Sequence, residues 1–186
     1  YKEVILQELL DLREDGSFAM DMDFFNYCQG LTMTNDRFAT LFDGPPRTAE
    51  SDITEREMDL AASVQVVTEE IVLRMARHAR EITGLPNLCL AGGVALNCVA
   101  NGKLLREKIF ERIWVQPAAG DAGGALGSAL FLHHQLLEEP RQADPVDSMA
   151  GSLLGPKHSN DSIRTFLNEN SVPHHYFEKE EELLDK

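Results

Sequence analysis

Cysteine, basic residues and long apolar runs are scarce in this sequence of 186 residues, and each scarcity excludes a class of protein. The three cysteines are too few and too irregularly spaced for a disulfide framework, and they form no CxxC pair. No apolar run approaches the roughly 20 residues that a membrane-spanning helix needs. With 17 basic and 31 acidic residues, the net charge of -14 repels phosphate backbones and argues against a nucleic-acid partner.

The opening stretch of the sequence, YKEVILQELL, is charged and helical in pattern, so it does not have the form of a signal peptide. Few cysteines and no export signal together favour a reducing, cytoplasmic location. The first residue is Tyr1 rather than an initiator methionine. We therefore expect the chain to be an internal piece of a longer cytoplasmic enzyme, and to be inactive alone.

The longest predicted element is a helix over 54–83. It opens with Thr54 and Glu57 in the spacing of a capping box and ends before Gly84. An apolar stripe predicts one buried face, formed by Leu60, Val64, Val67, Ile71, Met75, Ala79 and Ile82. Before this helix, the pattern predicts a short helix, a turn at Asp15 and Gly16, a strand over 17–22, and irregular structure over 31–52.

A β-α-β-α block follows the long helix. Strands are predicted over 88–91 and 112–115, and helices over 97–108 and 121–137. Each strand is followed by a glycine-rich turn into a helix, which is typical of a parallel sheet with a ligand at its carboxyl edge. We therefore expect the two glycine-rich turns to face one crevice. Cys89 and Cys98 are expected to be core residues.

The first turn, AGGVALN, places Gly92 and Gly93 where backbone can approach a ligand without interference from a Cβ atom. Asn97 and Asn101 lie four residues apart on one helical face and offer groups for ribose or phosphate. The alternative is a tight strand-to-helix turn in which Asn97 is only the helix N-cap.

The second turn, PAAGDAGG, sets Asp121 at the start of a helix that contains Gly123, Gly124 and Gly127. Each helical glycine costs about 1 kcal/mol relative to alanine, so close packing or ligand approach should compensate. Asp121 is either a helix cap or a ligand for a metal ion. No HExxH motif and no Walker lysine loop is present, and the pattern alone identifies no catalytic residue.

The final part of the sequence is more polar. A proline-rich surface connection is predicted up to Met149, followed by a helix near 161–169, a short strand over 175–177, and a helix beginning near Glu180.

The segments LCLAGGVALNCVANGKL and IWVQPAAGDAGGALGSALF, with FDGPPRTAESDITEREMDLAASVQ and DGSFAMDMDFF upstream, closely resemble the O-carbamoyltransferase family of nodulation-factor and cephem-antibiotic carbamoyltransferases. The resemblance spans nearly the whole chain. It implies an α/β fold, with the second half of an actin/hexokinase/Hsp70-type (ribonuclease H-like) nucleotide-binding domain over 1–150. It also implies a linker and the start of a YrdC-like C-terminal domain over 151–186.

The resemblance implies that the full protein makes carbamoyl-adenylate from carbamoyl phosphate and ATP, then transfers the carbamoyl group to a small-molecule hydroxyl. By the same resemblance, Gly92, Gly93, Val94 and Asn97 hold the adenylate, with Gly120 in the second turn. Asp121 matches a ligand of a divalent metal such as iron. The family's histidine motif is absent from this sequence, so the metal site is incomplete here.

Two alternatives remain at this point. The chain could belong to a threonylcarbamoyl transferase that modifies tRNA, although ALNC in the first turn and GDAG in the second favour the O-carbamoyl branch. It could also be a nucleotide-binding module without catalytic activity. Exposed apolar surface is further expected to promote self-association of the fragment.

Overall fold

The structure is a computed structural model that describes residues 1–142, 146–147 and 149–184. It divides into two compact units, Tyr1–Arg141 and Gln142–Lys186. The helices and strands of the first unit are α1 (Lys2–Val4), β1 (Leu10–Leu12), β2 (Phe18–Met20), α2 (Asp36–Leu41), α3 (Glu55–Thr83), β3 (Asn87–Leu90), α4 (Cys98–Arg106), β4 (Arg112–Val115) and α5 (Asp121–Phe131). Helix α1 continues as a π-helical turn, Ile5–Leu9, and α5 continues as another, Leu132–Leu136. Short 3-10 turns cover Met22–Phe24 and Gly93–Leu96.

Strands β1 and β2 form an antiparallel hairpin in which Leu10 pairs with Met20. The predicted turn at Asp15 and Gly16 is confirmed, and so is the strand after it. Gly16 has a φ of 85°, and a Cβ atom there would lie 2.5 Å from the backbone nitrogen of Met75. The hairpin turn therefore packs against α3 through a contact that only glycine permits.

Helix α2 corrects the prediction that residues 31–52 are irregular. Asn35 caps this helix, because its side-chain oxygen accepts hydrogen bonds from the Arg37 and Phe38 amides. The rings of Phe38 and Phe42 lie 4.6 Å apart between centroids, and Phe42 is buried. Packing of these rings in the first core cluster stabilises a helix of only six residues, whose pattern is too short to detect from the sequence.

Helix α3 confirms the long predicted helix and its capping box. The Thr54 amide donates to the Glu57 carboxylate over 3.0 Å, and Gly84 ends the helix with a φ of 64°. The prediction of one buried stripe is only partly correct. Val67 is buried, whereas Val64 and Ile82 are 54% and 67% exposed. The helix instead packs on two different surfaces along its length. Val67 belongs to the core cluster beside the hairpin, whereas Leu73 and Ala76 belong to the cluster beneath strands β3 and β4.

Strands β3 and β4 pair in parallel, with Leu88 opposite Ile113 and Leu90 opposite Val115. This confirms the predicted sheet, although the first strand begins and ends one residue earlier than expected. Leu88, Leu90 and Ile113 pack against a second core cluster of Leu73, Ala76, Leu104 and Phe110, so α3 packs against the sheet. An apolar run such as LCLA favours a buried strand, but burial alternates along β3, where Leu88 and Leu90 are half-buried and Asn87 and Cys89 are exposed.

The two cysteines of this block are also not core residues. Cys89 alternates to the uncovered side of β3 and is exposed, and Cys98 is exposed at the start of α4. Within the described residues, no helix is both long and apolar enough to cross a membrane.

The second unit contains a 3-10 segment (Ala150–Ser152) and two helices, α6 (Asn160–Glu169) and α7 (Glu180–Leu184), which confirms the two predicted helices. The predicted strand over 175–177 is wrong, because those residues form neither helix nor strand. Pro173 removes a backbone donor nearby, and no described strand of this unit offers a partner. Residues 143–145 and 148 of the predicted connection lie outside the described residues.

Candidate functional site

The two glycine-rich turns lie side by side at the carboxyl edge of the parallel sheet. The Gly92 amide donates a hydrogen bond to the Ala119 carbonyl over 2.9 Å, and the Gln116 amide donates to the Leu90 carbonyl over 3.0 Å. These bonds continue the pairing of β3 and β4 beyond the strands. The prediction that both turns share one edge is therefore confirmed.

The backbone of the first turn requires glycine at one position and leaves open space at both glycines. Gly92 has a φ of 97° and a ψ of 161°, a conformation that only glycine readily adopts. A Cβ atom at Gly92 or Gly93 would meet no atom within 4 Å, and the same holds at Gly120 in the second turn. A ligand can therefore approach all three backbones closely.

Backbone donors without partners occur in both turns. Among the described residues, the amides of Gly93 and Val94 donate no hydrogen bond, nor do the amides of Asp121 and Ala122 at the start of α5. Amides at the start of a helix carry partial positive charge and bind anions at contact distance. The edge therefore presents donors from two neighbouring turns.

Both polar atoms of the Asn97 side chain are engaged in local structure. Its Oδ1 accepts from the Ala100 amide over 3.0 Å, so Asn97 is the N-cap of α4. Its Nδ2 donates to Gln65 Oε1 over 2.8 Å, and Gln65 Nε2 donates back to Asn97 Oδ1 over 3.2 Å. Asn101 similarly donates to the Ala95 carbonyl over 2.7 Å. Both asparagines thus hold the first turn in shape.

An ion pair extends this network along α3. Gln65 Nε2 also donates to Glu69 Oε1 over 2.9 Å, and Lys103 Nζ lies 3.3 Å from Glu69 Oε2. The Glu69 side chain is 12% exposed. The hydrogen bond from Gln65, followed by the bond from Lys103, lowers the pKa of Glu69 below its usual value. The carboxylate is therefore ionised at neutral pH and connects α3 to α4.

The second turn is held mainly by backbone contacts, with one side-chain bond, in which the Ala118 amide donates to Gln116 Oε1 over 3.1 Å. Gly120, not Asp121, occupies the N-cap position of α5. A Cβ atom at Gly123 would lie 2.0 Å from the Ala118 carbonyl oxygen, so close packing explains this helical glycine. Asp121 is exposed at the first helical position, and its carboxylate makes no hydrogen bond or ion pair with any described residue. The interpretation of Asp121 as a helix cap is wrong.

A metal ion has few ligands here. The described part of the chain contains no group of three or more histidine, cysteine, aspartate or glutamate residues placed to bind one. A single exposed carboxylate at Asp121 does not hold a divalent ion tightly. The described residues therefore do not by themselves fit the metal that the resemblance implied.

An apolar cavity of about 260 Å³ lies under the first turn, between α3 and the sheet. Val94 and Ala95 of the turn line this cavity, and Asn101 supplies a polar side chain to its wall. The remaining walls are Val72, Met75, Ala76, Ala79, Leu88, Leu90, Ala91 and Leu104. An apolar space thus borders the backbone donors.

Sequence reasoning identified the two turns but missed Gln65, Glu69 and Lys103. Gln65 and Asn97 are 32 positions apart, and only the packing of α3 against α4 brings them together. The single signal in the sequence is a glutamine among apolar residues, in SVQVV, within the predicted stripe. That signal indicates a partner for the amide without indicating which one.

Comparison with known proteins places this sequence in a family. The sequence model for the carbamoyltransferase N-terminus matches residues 1–130, and the chain belongs to this family. An uncharacterized protein of Synechocystis is 56% identical over all of this chain, which covers 30% of that protein. Nodulation protein NolNO of Sinorhizobium fredii is 48% identical over 58% of this chain and 15% of its own length.

A further relative, nodulation protein NolO of Bradyrhizobium diazoefficiens, is 50% identical over 55% of this chain and 19% of its own length. The chain thus spans less than a third of these curated relatives. The matched family region includes both glycine-rich turns. The resemblance to the O-carbamoyltransferase family is therefore confirmed at the level of its N-terminal region.

Proposed function

We propose that this chain forms part of a carbamoyltransferase, and that its two glycine-rich turns bind the nucleotide of a carbamoyl-adenylate. Membership of the carbamoyltransferase N-terminus family supports carbamoyl transfer as the reaction class. The observation that carries the site is the hydrogen bond between Gly92 and Ala119, which joins the two turns at one sheet edge. ATP dependence, carbamoyl phosphate and the adenylate intermediate belong to this proposal.

The phosphate of the nucleotide would contact the amides of Gly93 and Val94 in one turn and those of Asp121 and Ala122 in the other. These amides have no partner among the described residues, and open space surrounds the neighbouring glycines. The net charge of -14 does not prevent such binding, because charges on the exposed surface are screened within about 10 Å while amides act at contact distance.

In the transfer step, the oxygen of an acceptor hydroxyl attacks the carbamoyl carbon and forms an O-carbamate. The bond from that carbon to the phosphate oxygen breaks, the hydroxyl proton passes to solvent or a base, and AMP leaves. Negative charge increases on the departing phosphate, where the backbone amides of the two turns would stabilise it. The roles of Gly92, Gly93, Val94, Asn97 and Gly120 follow from this arrangement, with Asn97 shaping the turn rather than donating to the ligand.

Asp121 remains a predicted metal ligand within this proposal. Its carboxylate is exposed and unengaged among the described residues, which leaves it available to a metal. Because one carboxylate is not a metal site, we assign no step of the transfer to a metal ion.

Titration of the full-length gene product with ATP and with AMP tests the proposal. Gly93→Val fills the open space at the first turn and should weaken AMP binding by about tenfold or more, since a side chain there blocks phosphate from the amides. Gly127→Ala is the matched control, because its added Cβ also meets no atom within 4 Å but lies further along α5. Equal affinities in wild type and Gly93→Val would contradict the site.

The reaction is tested separately, by AMP release and carbamate formation with carbamoyl phosphate, ATP and a panel of hydroxyl acceptors. The proposal expects transfer that depends on both ATP and carbamoyl phosphate. Tight nucleotide binding without transfer to any acceptor would instead favour a non-catalytic nucleotide-binding module.

A further inference from the structure

The side chain of Gln65 lies in α3, outside both glycine-rich turns, yet it contacts the first turn directly. Its Nε2 donates to Asn97 Oδ1 and to Glu69 Oε1, and its Oε1 accepts from Asn97 Nδ2. Both donors and the acceptor of this amide are therefore used. A half-buried glutamine engaged in this way has a fixed orientation, because any rotation would leave polar atoms unpaired.

We infer that Gln65 is a positioning residue, which holds the Gly93–Asn97 segment in the conformation that the nucleotide site requires. Asn97 connects the 3-10 turn, Gly93–Leu96, to α4, and its backbone amide donates to the Val94 carbonyl over 2.9 Å. Gln65 fixes the Asn97 side chain from the opposite helix. The positions of the Gly93 and Val94 amides therefore depend on α3 as well as on the local turn. This inference rests on the proposed nucleotide site.

Glu69 and Lys103 set the orientation of Gln65 itself. The Glu69 carboxylate accepts one of the two Gln65 Nε2 hydrogens, and Lys103 on α4 holds the other carboxylate oxygen. Only one Gln65 N–H then remains, and it donates to Asn97. The Gln65 side chain therefore adopts the rotamer in which its amide pairs with the Asn97 amide through two hydrogen bonds. The ion pair thus connects the same two helices that the amide pair connects.

Gln65→Met tests the inference, because methionine keeps the length of the side chain and removes all three hydrogen bonds. In the full-length protein, AMP affinity should fall about threefold to tenfold. This is the effect of losing about one hydrogen bond to the nucleotide when the Gly93 and Val94 amides are misplaced. Thr68→Val is the matched control on the same helix, where it removes only the hydroxyl bond to the Val64 carbonyl. The control should leave AMP affinity unchanged even if it lowers the melting temperature.

A second variant separates positioning from general loss of stability. Asn97→Ser keeps a residue suited to the N-cap but is too short to reach Gln65. If Gln65 acts through Asn97, the double variant should bind AMP no more weakly than Asn97→Ser alone. Independent losses that multiply in the double variant would overturn the inference, as would unchanged AMP affinity in Gln65→Met.

Hydrogen exchange without nucleotide gives a readout that is independent of the proposed function. In Gln65→Met, exchange at the Ala95 and Asn97 amides should accelerate relative to Thr68→Val, because these amides close the turn through Gly92 and Val94. If wild-type protein binds no nucleotide, the proposed function fails, and the exchange comparison alone then decides whether Gln65 holds the turn. Unchanged exchange would overturn the positioning role.

Discussion

The two glycine-rich turns occupy one sheet edge but are held in different ways. Side chains fix the first turn, through Asn97 and its partner Gln65 on the long helix. Backbone packing of Gly123 against the Ala118 carbonyl dominates in the second turn, where a single side chain, Gln116, accepts from the Ala118 amide. The consequence is that Asn97 has little capacity left for a ligand, whereas Asp121 keeps its whole carboxylate available. A polar residue in a ligand-binding motif can therefore serve the backbone or the ligand, and contacts distinguish the two.

The largest expected effect breaks the backbone packing of the second turn. Gly123→Ala should destabilise the protein by about 3 kcal/mol, since its Cβ atom would lie 2.0 Å from the Ala118 carbonyl oxygen. Relieving this clash requires the backbone itself to move. Gly124→Ala should instead stabilise by up to about 1 kcal/mol, because it gains helix propensity with no atom within 4 Å. Thermal melting of the two variants checks the contrast, and equal melting temperatures would refute close packing at Gly123.

The next effect concerns the strained glycine of the first turn. Gly92→Ala should cost about 1–3 kcal/mol, because its φ of 97° and ψ of 161° suit only glycine. Gly93→Ala, at the next residue, has no positive φ to maintain and should change stability by less. Denaturant unfolding of both variants measures the difference. A Gly92→Ala protein as stable as wild type would show that the turn adopts another conformation.

How far the sequence predicted these features depends on the range of the interactions. The parallel strands, the long helix and the shared edge follow from patterns over neighbouring residues, and all three are confirmed. Helix α2 was missed because rings of Phe38 and Phe42 stabilise it through packing that no short pattern shows. The partnership of Gln65 with Asn97 was missed for the same reason, since it depends on two helices meeting.

The exposed residues of the sheet show a second limit. Cys89 looked like a core residue because it lies in an apolar strand, yet only one side of the two-stranded sheet is covered by α3. Helix α5 is similar: none of its residues is buried, and Phe131 at its end is 67% exposed. Pattern predicts which residues are apolar but not whether a neighbouring layer covers them.

A smaller effect is expected for the free carboxylate of the second turn. Asp121→Asn should change stability by less than about 1 kcal/mol, since Gly120 is the N-cap and only a favourable charge at the start of α5 is lost. In the full-length protein, the same variant should lower metal content and carbamoyl transfer if Asp121 binds metal. Metal analysis beside thermal melting checks this. Full metal content in the variant would remove Asp121 from the metal site.

The smallest effect is a dependence on pH that involves the first turn alone. The hydrogen bond from Gln65 lowers the pKa of Glu69 in the folded protein. This bond therefore contributes its full stabilisation at pH values above 4.5, the usual pKa of the unfolded state. The stabilisation is lost as the pH falls through the lower pKa of the folded state. Gln65→Met should therefore destabilise more at neutral pH than in acid. Denaturant unfolding at neutral and at acidic pH measures how much Gln65→Met lowers the free energy of unfolding at each pH. Thr68→Val is the control, for which no pH dependence is expected. A penalty equal at both pH values would contradict the coupling.

Hydrogen exchange of the full-length protein with and without AMP tests the central claim most directly. If the two turns form one nucleotide site, AMP should slow exchange together at Gly93 and Val94 in the first turn and at Asp121 and Ala122 in the second. In the absence of a ligand, these amides donate no hydrogen bond to any described residue. A bound phosphate that accepts from them would therefore slow their exchange. Binding of AMP with no change in either turn, or with protection in only one of them, would contradict the claim.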